Sequence, residues 1–148
     1  MHKYEDDVKY RNWVLENVLT GVTSADYFKG RFDKFDIHYL PKGEDKERFM
    51  EIKHRNFKHD QYPTTIIEKD KYDAITASTA YIADVDLMIL FEDGWICYTP
   101  GRLKSSFQGV STKYCPDQYD AYGDKWCEKN KEVVEIKIEE RWFHKYDQ

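Results

Sequence analysis

Asp36, Glu51 and Lys53 are the residues of this chain whose types and spacing best suit chemistry. Two carboxylates that converge with a lysine make a site for a hard divalent cation. Oxygen ligands and retained waters suit Mg2+, with Mn2+ as a substitute. Such an ion acidifies a bound water and offsets the charge that develops on a phosphodiester. The Lys53 amine would orient the attacking water or stabilise the transition state. The local pattern allows the convergence. Phe35–Leu40 alternates as a strand, Pro41–Lys46 breaks it, and Arg48–His54 reads as its hairpin partner. Residues two apart in a strand share a face, so Phe49, Glu51 and Lys53 emerge together while Met50 and Ile52 enter the core from the other side. Pairing across the hairpin brings Asp36 beside Glu51.

Other elements must hold that hairpin. Val8, Leu15, Val18, Leu19 and Val22 at helical spacing predict an amphipathic helix over Asp6–Leu19, with Gly21 where it stops. Thr64 or Thr65 caps a second helix running to about Ala80, with Ile67, Lys71, Ala74, Ile75 and Ser78 on one side. Val85–Phe91 reads as a central strand covered on both faces, and Glu92-Asp93-Gly94 turns it into Trp95–Tyr98. Residues 99–131 mix loop with a short helix around Asp117–Lys129, and Val133–Ile138 forms a last strand. The order helix, strand, strand, helix, strand, strand predicts an α/β fold, a mixed central sheet flanked by helices. One domain over 1–148 is expected, its core about 6–98 and a C-terminal extension about 99–148.

Asp36 followed by Glu51-Ile52-Lys53, after an N-terminal helix and before a helix carrying Lys71, resembles the PD-(D/E)XK nuclease superfamily of restriction endonucleases, archaeal Holliday-junction resolvases and many phage nucleases. The resemblance covers roughly residues 8 to 98 on a short, degenerate motif, and Phe35 stands where the motif has proline. It implies a restriction endonuclease-like core and metal-dependent hydrolysis of phosphodiester bonds in DNA. It also implies metal ligation by Asp36, Glu51 and the Ile52 backbone carbonyl, with Lys53 as the motif lysine. Many members supply an acid from the first helix, here Glu16, with Glu5 as runner-up; the other reading of Glu16 is a solvated residue on the outer face. Some place a lysine on the helix after the motif strand. Lys71 lies on the apolar stripe and fits, its other reading being a stem snorkelling at the core edge; Lys69 lies on a different face. Members are often dimers, which implies a homodimer, and small size and composition suit a phage or mobile-element origin.

Arg55 and Lys58, interleaved with Phe57 and Tyr62, follow the motif directly. Cations of this kind contact phosphates and rings stack on bases, although an ordinary polar loop has the same composition. Glu135-Ile136-Lys137 repeats the triplet, but alternation alone explains it, with Val134, Ile136 and Ile138 turned inward. His38 shares the alternation of Asp36, and the five histidines show no metal-ligand spacing.

Composition narrows the remaining classes. With 28 acids against 23 Lys and Arg, a net charge of −5 argues against coating nucleic acid by bulk attraction, which leaves a local groove. The 16% aromatic share argues against disorder. No apolar run approaches the roughly 20 residues of a membrane span, and the opening MHKYEDDVKY has no signal-peptide core. Cys97, Cys115 and Cys127 form no CxxC, so zinc and disulfides are set aside in favour of a reduced, cytoplasmic compartment, a host cell's if phage-encoded. Phosphate-loop, dinucleotide, zincin and nucleophile-elbow motifs are missing. The alternative to a nuclease is a non-catalytic nucleic-acid-binding or protein-interaction module on a nuclease-like fold.

Overall fold

A computed structural model describes residues 3–19, 22–27, 36–45, 48–78, 84–119 and 126–146. Gly21, Phe35 and Ala80, and the side chains of Glu5, Val8, Val22 and His38, lie outside what it describes. The chain runs α1 (Lys3–Asn17), β1 (Val22–Tyr27), β2 (Ile37–Pro41), β3 (Arg48–His54), β4 (Thr64–Glu68), α2 (Lys69–Ser78), β5 (Asp84–Leu90), β6 (Gly94–Tyr98), α3 (Pro100–Ser105), β7 (Phe107–Tyr119) and β8 (Trp126–Lys137). A single 3-10 turn at Glu140–Trp142 and β9 (His144–Lys145) complete it. The larger sheet has the order β1-β2-β3-β5-β6-β9, and the smaller β4-β8-β7. β3 and β5 are parallel, and the other neighbours are antiparallel. A parallel pair needs a long crossover; here it carries β4 and α2. The result is the mixed α/β sheet with flanking helices that the element order predicts.

Two apolar layers sandwich the sheet. On one face Val85, Leu87, Ile89, Phe91, Ile96 and Tyr98 pack with Ile67, Ile75, Val134 and Ile136. On the other, Ile37, Tyr39, Met50, Met88 and Leu90 pack with Val14 and Leu19 of the α1 segment. The run Leu87–Leu90 in β5 is therefore hydrophobic because both faces of the strand are buried. α1 stops where Val18 N–H and Leu19 N–H both donate to the Val14 carbonyl, at 2.9 and 3.0 Å. Among the described residues no helix is long and apolar enough to cross a membrane.

The predicted helix from Thr64 is corrected. Thr64–Glu68 is a strand paired with β8 (Thr65↔Ile136), and the helix begins at Lys69. The β-branched Thr-Thr-Ile-Ile run favours the pleated surface, so pairing overrides the capping role read for its threonines. The short helix around Asp117–Lys129 is also corrected. Asp117–Tyr119 belongs to β7, Trp126–Lys129 belongs to β8, and the two strands pair as a long antiparallel ribbon. Val133–Lys137 is the C-terminal part of β8 rather than a separate strand, and Ile138 lies beyond it. The second triplet behaves as alternation requires: Val134 and Ile136 are buried while Lys137 is exposed.

Asp86 is a buried acid inside β5, 4% exposed. The Tyr39 hydroxyl donates to its Oδ2 at 2.8 Å, and Arg48 Nη2 pairs with its Oδ1 at 2.7 Å. Burial and the neighbouring Asp86 charge push the Tyr39 phenol above its usual pKa. The network joins β2, β3 and β5 beneath the hairpin. Asp86→Ala strips Tyr39 and Arg48 of the carboxylate they share and is expected to cost about 3–5 kcal/mol, measured as the fall in unfolding free energy in urea.

Candidate active site

Regular pairing between β2 and β3 ends at Ile37↔Met50. One residue earlier, Asp36 N–H donates to the Met50 carbonyl at 3.0 Å. The next amide on that edge of β3, Ile52 N–H, is met by a side chain: it donates to Asp36 Oδ2 at 2.7 Å. Asp36 thus precedes β2 rather than lying within the strand, and its carboxylate takes the place of a backbone rung. Since the N–H and C=O of one strand residue leave along the same edge, the Ile52 carbonyl is directed to the Asp36 side. A cavity of about 30 Å3 lies there, lined by Tyr10, Arg11, Asp36, Ile52 and His54. That is room for one ion or one water. The Tyr10 ring stacks on His54, with centroids 4.3 Å apart.

Glu51 occupies the opposite side of the same strand turn. Its carboxylate is 8% exposed, with Oε2 3.4 Å from Lys53 Nζ and Oε1 3.6 Å from Lys71 Nζ. Burial raises its pKa to about 7; the Lys53 charge pulls it down, Asp36 pushes it up and Lys71 pulls it down. Lys71 sits in the first turn of α2, where the helix dipole disfavours a cation, and Glu51 supplies the compensating charge. The structure therefore gathers Glu51, Lys53 and Lys71 in one cluster and holds Asp36 at the edge of β3 beside Ile52. The donor set on offer, two carboxylates and a backbone carbonyl, consists of hard oxygens suited to Mg2+.

The residues after the motif divide between two places. Lys53, Arg55, Phe57 and Tyr62 line one open groove of about 640 Å3 together with β4. Tyr62 is half exposed and meets the edge of Phe57, with centroids 5.0 Å apart. Arg55 is tied into the scaffold by donating to Thr65 Oγ1 at 3.2 Å and to the His54 and Ile66 carbonyls. Lys58 is exposed and lines a different groove, with His59, Asp60, Asp93 and Glu140. Glu16 is exposed as well and lines a third groove, beside Trp13, Leu90 and Tyr146. The structure does not bring Glu16 or Lys58 to the Glu51 centre.

The α1 side chain that does reach Asp36 is Arg11, which the sequence reading passed over. Its Nη2 and Nε donate to Asp36 Oδ1 at 3.0 and 3.3 Å. The signal was present: Arg11 shares the helical stripe of Val14, Leu15 and Val18, the same pattern that singled out Lys71. A second acidic group, His59, Asp60 and Asp93, has ligand atoms within 4.8 Å of one another. There the His59 ring faces the Asp93 and Glu140 carboxylates through its two nitrogens and stacks on Phe143. Burial opposes its charged form, yet its hydrogen bonds to the Asp93 and Glu140 carboxylates raise its pKa. It clasps the loop after β3 to the C-terminal segment.

No protein-family model and no curated protein matches the chain. Among solved structures it is similar to Hjc of Archaeoglobus fulgidus, a Holliday junction resolvase from an archaeal hyperthermophile. The identity is 14%, covering 86% of this chain and 95% of that one, with a TM-score of 0.46.

The raised pKa of Glu51 has a stability consequence. Its folded value, about 7, exceeds the unfolded 4.5, so between these values the native state holds a proton that the unfolded chain has lost. Its contribution is present below about pH 4.5 and is lost as pH rises through 7. Glu51→Gln cannot titrate, and its stability relative to wild type is expected to improve by roughly 3 kcal/mol between pH 4.5 and 8, read from paired urea melts across that range.

Proposed function

We propose that the chain is a metal-dependent nuclease of the PD-(D/E)XK type that hydrolyses phosphodiester bonds in DNA. The observation that supports this reading is the buried Glu51 held between Lys53 and Lys71 on β3, next to the residue whose amide is bound by the Asp36 carboxylate. Asp36, Glu51 and the Ile52 carbonyl would hold Mg2+, or Mn2+ in its place. When bound, that ion would acidify an attacking water and polarise the scissile phosphate.

The remaining roles fall to the chain itself. Glu51 must give up its proton to act as a ligand, and Lys53 and Lys71 on either oxygen favour that loss. Lys53 lines the same groove as Arg55, Phe57 and Tyr62. Its amine donates to the attacking water or to a non-bridging phosphate oxygen. The water loses a proton to bulk solvent and its oxygen forms the new bond to phosphorus as the bond to one sugar oxygen breaks, and that sugar oxygen takes a proton from solvent. Tyr62 offers an exposed ring to a base, and Arg55 stiffens the wall behind it. A second reading, a module that binds nucleic acid without cutting it, has one observation in its favour. Arg11, Lys53 and Lys71 outnumber Asp36 and Glu51, and such a centre attracts phosphate without an ion.

Mg2+- or Mn2+-dependent cleavage of DNA is expected, with Glu51→Ala and Lys53→Ala each lowering the rate by roughly 100-fold or more while circular dichroism shows the fold intact. Cleavage that survives both changes rejects the assignment. Saturable DNA binding with no calorimetric Mn2+ site supports the binding module instead. Because the proton on Glu51 competes with the metal, Mn2+ affinity is expected to rise with pH and level off above about 7. Tyr62→Ala is expected to weaken single-stranded DNA binding by about 1–3 kcal/mol, measured by fluorescence anisotropy.

A further inference from the structure

Arg11 enters the candidate centre from α1, and its side chain is 12% exposed. Two of its nitrogens lie on Asp36 Oδ1, while the Ile52 amide holds Oδ2. Each oxygen of Asp36 is therefore engaged, one by a fixed backbone donor and the other by a charged group on a helix. The cavity that Arg11 and Asp36 share with Ile52 has room for one small ion. Two carboxylates near one strand need countercharge, and Glu51 already has Lys53 and Lys71 beside it. Arg11 supplies that charge to Asp36. A planar guanidinium cannot take part in an octahedral oxygen shell, and it repels a divalent ion at the same oxygen.

Resting on the metal-centre reading above, we propose that Arg11 is a built-in competitor for the divalent ion. It neutralises Asp36 in the metal-free protein and yields Oδ1 when the ion arrives, and its guanidinium then turns to the substrate phosphate. A guanidinium matches two phosphate oxygens as well as it matches a carboxylate. The exchange links ion uptake to substrate: phosphate that draws Arg11 away from Asp36 raises the affinity for metal, and metal raises the affinity for phosphate by the same factor. Arg11 is thus a positioning residue in the metal-free state and a substrate contact in the loaded one.

The test is a calorimetric Mn2+ titration at pH 8 of the full chain and three variants, each first shown to melt cooperatively. Arg11→Gln is expected to bind Mn2+ about tenfold more tightly than wild type, because one adjacent charge shifts a carboxylate's affinity for a cation by at least that much. Arg11→Lys keeps the charge and Lys9→Gln removes one from a neighbouring exposed position, so both are expected to stay within about twofold of wild type. Equal or weaker binding by Arg11→Gln overturns the competitor role and leaves Arg11 as a support for Asp36. Equal tightening by Lys9→Gln overturns it too, since net charge would then be the cause. Absence of Mn2+ uptake by every form overturns the metal centre itself, and this inference with it. The wild-type protein supplies a measurement that needs no variant: the Arg11 Nε–H resonance is expected to move on addition of Mg2+ with an uncleavable oligonucleotide, and a resonance that stays in place overturns the exchange.

Discussion

The hydrogen bond from the Ile52 amide to Asp36 Oδ2 sets the geometry of the site. A strand that loses its neighbour exposes backbone donors and acceptors, and a buried one must find another partner. At the point where β2 ends, Asp36 supplies its own amide to Met50 and its carboxylate to Ile52. The acid is thereby pinned to the edge of β3, two positions along from the last backbone rung. The same edge carries the Ile52 carbonyl, and α1 closes over it with Tyr10 and Arg11. The divergence of two paired strands thus creates both the opening and the group that stands in it.

Glu51 faces the other layer, and burial there is expensive for a charge. The parallel pairing of β3 with β5 requires a crossover, which brings the first turn of α2 above the strand and with it Lys71. Lys53 comes from β3 itself. One buried carboxylate therefore lies between an amine supplied by strand alternation and an amine supplied by topology. Two carboxylates on opposite sides of one strand stay close enough to influence each other, so neither has an ordinary environment. The Asp86 network beneath them carries no such tension, because Tyr39 and Arg48 satisfy a single acid.

Some of this was legible from particular residues. β3 was bounded correctly because its strict alternation puts Met50 in the core and Glu51 beside Lys53. β5 announced itself through the most hydrophobic run of the chain, Val85–Phe91 with Asp86 alone interrupting it, as a strand buried on both faces requires. The Thr64–Glu68 segment misled, since threonine before an acidic stretch reads as a helix cap unless one knows that β8 pairs there. Of the stripe that marked Lys71, Ala74 and Ile75 lie with it on α2, while Ile67 belongs to β4 and so not to the helix. Arg11 carried the same stripe signal and was missed; a cation on an apolar helix face needs a partner, and the partner was Asp36. Arg55 read as a phosphate contact, but much of its guanidinium is tied to backbone and to Thr65, bonds that become visible only once β4 folds beside it.

By itself the sequence determined the alternation of β3, the doubly buried β5 and the amphipathic α1, because each follows from a period of two or 3.6 or from a sustained apolar run along the chain. Only the tertiary structure decided that β8 reaches back to pair with β4, that Arg11 rather than Glu16 meets Asp36, and that Glu51 is buried between two lysines. Those outcomes depend on contacts between residues far apart in sequence, and local periodicity does not encode which distant partner removes a group from water.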